Sequence, residues 1–92
     1  MRQILVLNSA RANLLEIQAY TLEMWGGAKV LELQDVIKDT FTFFAFSPFV
    51  GRKTSGKNLY VNTLGCLPFV VVYKVSDTHI RIVKVIHMKR NR

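Results

Sequence analysis

The sequence predicts a single α+β domain in which a helical hairpin packs on one face of a curved, mostly antiparallel sheet. Helical periodicity fills the first half of the chain after a short strand, and three runs of β-branched and aromatic residues fill the second half. Helices that precede a group of strands are typical of α+β domains, in which the helices cover one side of a sheet.

Composition limits the class of protein. The chain has 92 residues, of which 50% are hydrophobic and 21% charged, so residues 1–92 suffice for one core but not for two. The single cysteine, Cys66, excludes an internal disulfide and is typical of a reducing, cytoplasmic setting. Because no apolar run approaches the roughly 20 residues of a membrane span, we expect a soluble protein that makes no membrane contact.

The charge balance indicates the kind of partner. Thirteen Lys and Arg residues against six Asp and Glu residues give a net charge of +7. Such a chain attracts phosphate groups or an acidic protein, and charge alone does not separate the two. With only two histidines and one cysteine available as soft ligands, we expect no metal site and no cofactor.

A short strand and a first helix open the chain. Residues 3–7 favour a strand, and Asn8 or Ser9 then offers a helix N-cap. The following apolar residues recur at helical spacing on one stripe, which we expect to face the core: Ala10, Leu14, Ile17 and Met24. Gly26 and Gly27 should end this helix, because glycine tolerates the left-handed conformation found beyond a helix end.

A second, unusually apolar helix is predicted from about Ala28 to Phe46, antiparallel to the first. Its core stripe consists of apolar residues at helical spacing: Val30, Leu33, Ile37, Phe41 and Phe44. Because the phenylalanines between 41 and 49 cannot all share one stripe, Phe43 and Phe46 have two interpretations. Either the sheet and the next loop cover them, or they line an exposed groove that receives a partner's helix.

A basic loop follows Ser47-Pro48, where the proline should end the second helix. We expect residues 50–58 to be flexible. Arg52, Lys53 and Lys57 in this loop are candidates for contact with a partner. The glycine spacing differs from that of a P-loop, and a helix precedes the loop where a P-loop has a strand, so no phosphate cradle is predicted.

Three strands complete the predicted order β-α-α-β-β-β. The first covers residues 59–64, and the second, residues 69–75, should be central because its valines are apolar on both faces. A polar turn, residues 76–79, leads into the last strand, and we expect His79 in that turn to be solvated. The last strand ends in a titratable group followed by a basic tail: His87, Lys89, Arg90 and Arg92. This arrangement suits an anionic partner.

Four motifs lie in order along the chain: Trp25-Gly26 after the first-helix stripe with Tyr20, Pro48-x-x-Gly51-Arg52, Pro68-Phe69-x-x-x-Tyr73-x-Val75, and Ile82-x-x-Val85-Ile86-His87-x-Lys89-Arg90. Their order and spacing resemble the RelE/ParE superfamily of type II toxin–antitoxin toxins over almost the full chain. The Trp-Gly pair and the histidine at the end of the last strand are more similar to the ParE branch.

The resemblance implies a small toxin made beside an acidic, partly helical antitoxin, which wraps and silences it in a hetero-oligomer. Such modules stabilise plasmids or chromosomes. ParE-like members inhibit growth by binding DNA gyrase. In this chain the candidate residues for binding the target or the antitoxin are Arg52, Lys53, Lys57, Lys89, Arg90, Arg92, Phe43 and Phe46. RelE-like members instead cleave messenger RNA on the ribosome without a metal. In that alternative His87 is the acid or base, and Arg81 and Arg90 stabilise the phosphorane charge.

Three departures from the RelE pattern favour the ParE mode. RelE-like chains carry lysines where this chain reads Tyr60-Val61-Asn62-Thr63, and an arginine where it has Val70. They also place an aromatic residue near the terminus, whereas residues 88–92 contain none. We therefore expect an inhibitor that acts by binding and is not an enzyme. A ribosome-dependent nuclease and a decayed toxin that retains only antitoxin binding are the alternatives.

Overall fold

The computed structural model describes residues 1–65 and 67–88 and confirms the predicted α+β fold. Its elements, in chain order, are β1 (Gln3–Val6), α1 (Asn8–Trp25), α2 (Gly27–Phe46), β2 (Arg52–Lys53), β3 (Leu59–Thr63), β4 (Phe69–Val75) and β5 (His79–His87). Cys66 lies outside the described residues. Within them, no helix is long and apolar enough to cross a membrane.

All five strands belong to one sheet in the order β1-β5-β4-β3-β2. β1 pairs with β5 in parallel, and the other three pairings are antiparallel. β4 is therefore the central strand, as its runs of apolar residues on both faces predicted. α1 and α2 lead from β1 to β2, which are at opposite edges of the sheet. The strands β2 to β5 then follow one another back across the sheet, so that β5 lies beside β1.

The helical hairpin matches the prediction at its turn and in most of its core stripe. Gly26 has a φ of 89°, a left-handed value that favours glycine, and Gln34 on α2 donates to Gln18 on α1 at 3.0 Å. The buried helical side chains are Ala10, Leu14, Thr21, Leu33, Thr40, Phe41, Phe44 and Ala45. Met24 was predicted to face the core but is exposed, since the last turn of α1 lies at the hairpin tip.

The predicted N-cap of α1 is wrong. Asn8 and Ser9 lie inside the helix, and its N-cap is Leu7, which makes no side-chain capping bond. Ser9 Oγ instead donates to the Val83 carbonyl at 2.6 Å, and Asn13 Oδ1 accepts from the Val85 amide at 3.0 Å. β1 ends before these two residues of β5, so side chains of α1 take over the hydrogen bonds that a longer β1 would make.

The prediction of a flexible loop at residues 50–58 is wrong for two of its residues, Arg52 and Lys53. Arg52 and Lys53 form a two-residue strand that pairs with Val61 and Tyr60 of β3. The hairpin is closed by Thr54, whose amide and hydroxyl both donate to the Leu59 carbonyl, at 2.9 and 3.1 Å. Pairing with β3, which the local composition does not reveal, orders this segment.

Tyr73 joins the loop between α2 and β2 to the core. Its ring is fully buried and stacks on Phe44 at a centroid distance of 4.4 Å. Its hydroxyl donates to the Pro48 carbonyl at 3.0 Å and accepts from the Gly51 amide at 3.1 Å. A Cβ on Gly51 would collide with this hydroxyl. The Pro48-x-x-Gly51 motif and the motif that contains Tyr73 are therefore joined by these two hydrogen bonds.

Candidate partner-binding surfaces

The phenylalanine-rich segment divides between the core and the surface. Phe41 and Phe44 are buried, whereas Phe43, Phe46 and Phe49 are 49%, 67% and 61% exposed. Residues 41 and 44 lie on the inward stripe of α2, and residues 43 and 46 fall on its outer side because of the helical period. With the neighbouring exposed Val50, the three exposed rings form an apolar patch, here called the phenylalanine surface: Phe43, Phe46, Phe49 and Val50.

The phenylalanine surface is held by contacts from distant parts of the chain. The Phe49 ring lies 5.6 Å from the Tyr60 ring, in an edge-on arrangement. The Arg2 guanidinium lies 5.4 Å from the Phe49 centroid, and Arg2 Nε donates to the Ser76 carbonyl at 2.7 Å. Phe49 and Arg2 were not among the site residues predicted from the sequence. They are 47 positions apart, and no local pattern connects them.

The three cations of the predicted loop do not act as one group. Lys53 pairs with Tyr60 and Arg52 pairs with Val61, so alternation along the strand places them on opposite faces of the sheet. Lys53 shares the face of Tyr60, on the side of the phenylalanine surface. Lys57 is exposed in the turn between β2 and β3.

His87 lies in a groove between α1 and the end of β5. The groove has a volume of about 610 Å³ and is lined partly by Glu16, Tyr20, Glu23 and Phe69. The half-buried His87 ring meets the Phe69 ring edge-on at 5.0 Å. Both carboxylates, Glu16 and Glu23, come from α1. Two carboxylates thus line the same groove as the histidine.

Arg81 lies far from His87. The two residues are six positions apart on β5, which is about 20 Å at about 3.3 Å per residue. Arg81 is paired with the exposed Lys74, while His87 is paired with Phe69 and faces α1, so the two side chains also occupy opposite faces. The remaining predicted cations, Lys89, Arg90 and Arg92, lie outside the described residues.

Comparison with known proteins identifies the family. A family model described as the ParE toxin of the type II toxin–antitoxin system, parDE, matches residues 4–92. A solved structure described as the chromosomal ParDE TA system from P. aeruginosa is similar in fold, with a TM-score of 0.80 and 20% identity, covering 95% of this chain and 96% of that one. No curated protein matches the sequence. The family match extends over nearly every residue, and the protein therefore belongs to the ParE toxin family of type II toxin–antitoxin systems.

Proposed function

We propose that this ParE-family toxin arrests growth in the cytoplasm by binding DNA gyrase and that an acidic, partly helical antitoxin neutralises it. Membership of the family implies a cognate antitoxin partner. One observation supports inhibition by binding over catalysis: Arg81, one of the two arginines considered for catalysis, lies about 20 Å from His87 on the opposite face of the sheet. The other, Arg90, lies outside the described residues. A nuclease needs its acid or base and its charge-stabilising cation at the same phosphate.

The groove at His87 also disfavours an RNA substrate. Glu16 and Glu23 line it together with the histidine. A phosphodiester placed there would be repelled by both carboxylates, since like charges at short range disfavour binding. This electrostatic environment supports inhibition by contact with a protein.

The phenylalanine surface is the candidate site for the antitoxin. Its three rings are about half exposed or more, and aromatic side chains of this kind supply most of the energy of protein interfaces. Lys53 on the same side of the sheet and Arg2 over the Phe49 ring add positive charge. An amphipathic helix with acidic flanks matches this combination of apolar and cationic groups.

Gyrase inhibition is tested by incubating the purified toxin with gyrase, ATP and plasmid DNA. We expect loss of supercoiling activity and accumulation of a cleaved enzyme–DNA complex, both reversed when antitoxin is added. Full supercoiling activity at micromolar toxin would contradict the gyrase proposal. Growth that continues after the toxin is induced would instead support a decayed toxin.

A nuclease is distinguished by primer extension on translated messenger RNA from cells that express the toxin. We expect no new 5′ ends. Cleavage sites that appear on induction and vanish in His87→Ala would replace gyrase with the ribosome as the target.

Antitoxin docking is tested with a matched pair of helix α2 variants. Phe46 and Leu31 are 67% and 64% exposed, so a glutamate at either position adds the same charge at a similar cost in stability. We expect Phe46→Glu to weaken antitoxin binding by at least about 2 kcal/mol, as loss of an aromatic anchor does, and Leu31→Glu to leave it unchanged in titration calorimetry. Equal effects of the two variants would place the antitoxin elsewhere.

A further inference from the structure

Within residues 1–65 and 67–88, no helix covers the face of the sheet opposite α1 and α2. Strand residues of the hydrophobic core all belong to the face that packs on α1 and α2, among them Val71, Tyr73, Ile80 and Ile82. The alternate residues point to the other face. We call this second face the outer sheet face, and it comprises Gln3, Leu5, Arg52, Leu59, Val61, Thr63, Val70, Val72, Lys74, His79, Arg81, Lys84 and Ile86.

The strand register arranges the cations of this face in two rows. One row crosses four strands from Arg52 to Lys84, through Val61 and Val72. Its ends are about 14 Å apart, from three interstrand spacings of about 4.8 Å. In the adjacent row Arg81 and Lys74 are direct neighbours. Four positive charges are thus spread over a surface wide enough to reach several phosphates.

Negative charge is segregated away from this face. Of the six acidic residues, five fall between residues 8 and 46, in the two helices, and the sixth is Asp77 in the turn before β5. Residues outside 8–46 include ten Lys and Arg residues. Within the part of the chain that the structure describes, the outer sheet face carries no carboxylate. The charged side chains of this face are therefore all basic.

The exposed residues of the outer sheet face are Gln3, Leu5, Thr63 and three of its four cations. Arg52, Lys74 and Lys84 are exposed. Val72, in the middle of this face, is 7% exposed. Apart from Leu5, which is 44% exposed on this face, most of the large exposed apolar side chains lie on the helices and at residues 43–50.

We propose that the outer sheet face binds the sugar–phosphate backbone of duplex DNA without reading its sequence. The face has no Phe, Tyr or Trp on which the bases of a single strand would stack. The middle of its cationic row is Val61 and Val72, which offer no hydrogen bonds to the 2′-hydroxyl groups of duplex RNA. An acidic protein would need a cluster of exposed apolar anchors, and this face offers only Leu5. The proposal does not depend on gyrase.

The site is tested by fluorescence anisotropy with a short labelled duplex at several salt concentrations. The variant Lys74→Gln/Lys84→Gln removes two cations from the outer sheet face, and Lys29→Gln/Lys38→Gln removes two from α2 with the same change in net charge. Each phosphate contact contributes about −0.9 to the slope of log K against log salt. We expect the first variant to flatten this slope by about 2 and to lower affinity at least about tenfold at low salt. The second variant should keep the wild-type slope.

Competitors identify the ligand class. Unlabelled duplex DNA of unrelated sequence should displace the probe as well as the original duplex does, whereas single-stranded DNA, duplex RNA and polyglutamate should displace it less well. Equal slopes for the two variants would overturn the proposal, as would stronger competition by any of the three alternative polyanions. Circular dichroism verifies that both variants are folded, and Lys74→Arg/Lys84→Arg should restore binding because it restores the charge.

Discussion

Tyr73 is the residue on which the loop before β2 depends. Its hydroxyl bonds both Pro48 and Gly51, and its ring stacks between Phe44 and Tyr60 at centroid distances of 4.4 and 5.9 Å. The loop carries Phe49, one of the three rings of the phenylalanine surface. A buried hydroxyl in the central strand therefore sets the position of a candidate binding residue at the surface.

Replacing Tyr73 by Phe should lower the free energy of unfolding by about 1–3 kcal/mol, because a buried carbonyl and amide lose their shared partner. Urea denaturation measures this change. Tyr60→Phe is the control: Tyr60 belongs to the same stack but makes none of the loop's hydrogen bonds, and its loss should cost less than about 0.5 kcal/mol. Equal costs would show that the stack, and not the hydroxyl, holds the loop.

The stability of the protein at alkaline pH should depend on the same residue. Burial raises the pKa of Tyr73 above its ordinary value of 10.0, the hydrogen bond from Gly51 lowers it in part, and Tyr60 raises it further. The unfolded chain releases this proton near its ordinary pKa, whereas the folded protein retains it. The contribution to stability is thus complete below the unfolded pKa and is lost as the pH rises through the folded pKa.

Urea midpoints measured between neutral pH and strongly alkaline pH test this linkage. We expect the free energy of unfolding to fall with pH on the alkaline side and to fall less steeply in Tyr73→Phe. Tyr20→Phe, a change at an exposed ring, should keep the wild-type dependence. A Tyr73→Phe profile parallel to that of the wild type would contradict the assignment.

At the scale of elements, α1 completes the edge of β5. Asn13→Ala should cost about 1–3 kcal/mol because it leaves the Val85 amide without an acceptor. Hydrogen exchange should then be faster at Val85, as measured by NMR. Gln18→Ala removes an exposed bond between the helices and should change stability by no more than about 0.5 kcal/mol. Unchanged exchange at Val85 in Asn13→Ala would show that the Asn13 side chain does not protect this amide.

Elements with their own periodicity were predictable, and elements that depend on a neighbour were not. Two apolar stripes, one with Leu14 and the other with Leu33 and Phe44, identify the two helices from spacing alone. β2 has two residues and no local signal, because it exists only by pairing with β3. The role of Ser9 was misjudged for a similar reason: its bond to Val83 spans 74 positions and depends on where β1 ends.

At the scale of the whole molecule, the antitoxin should act as a stabilising ligand. A partner that binds only the folded toxin adds about 2.7 kcal/mol to its free energy of unfolding at a free concentration 100 times Kd. We therefore expect the thermal midpoint of the toxin to rise with antitoxin concentration, and to rise less for Phe46→Glu than for Leu31→Glu. A midpoint that is independent of antitoxin concentration would contradict binding to the folded state.

The sequence by itself determined the α+β class, the helical hairpin, the central position of β4 and the ParE resemblance, because periodicity, glycine at the turn and ordered motifs are local properties of the chain. Only the tertiary structure decided which phenylalanines are exposed, that Arg52 and Lys53 face opposite ways, and that His87 and Arg81 are far apart. These outcomes depend on strand register and helix packing. A shift of one residue in register moves a side chain to the other face, and no property of an isolated segment specifies it.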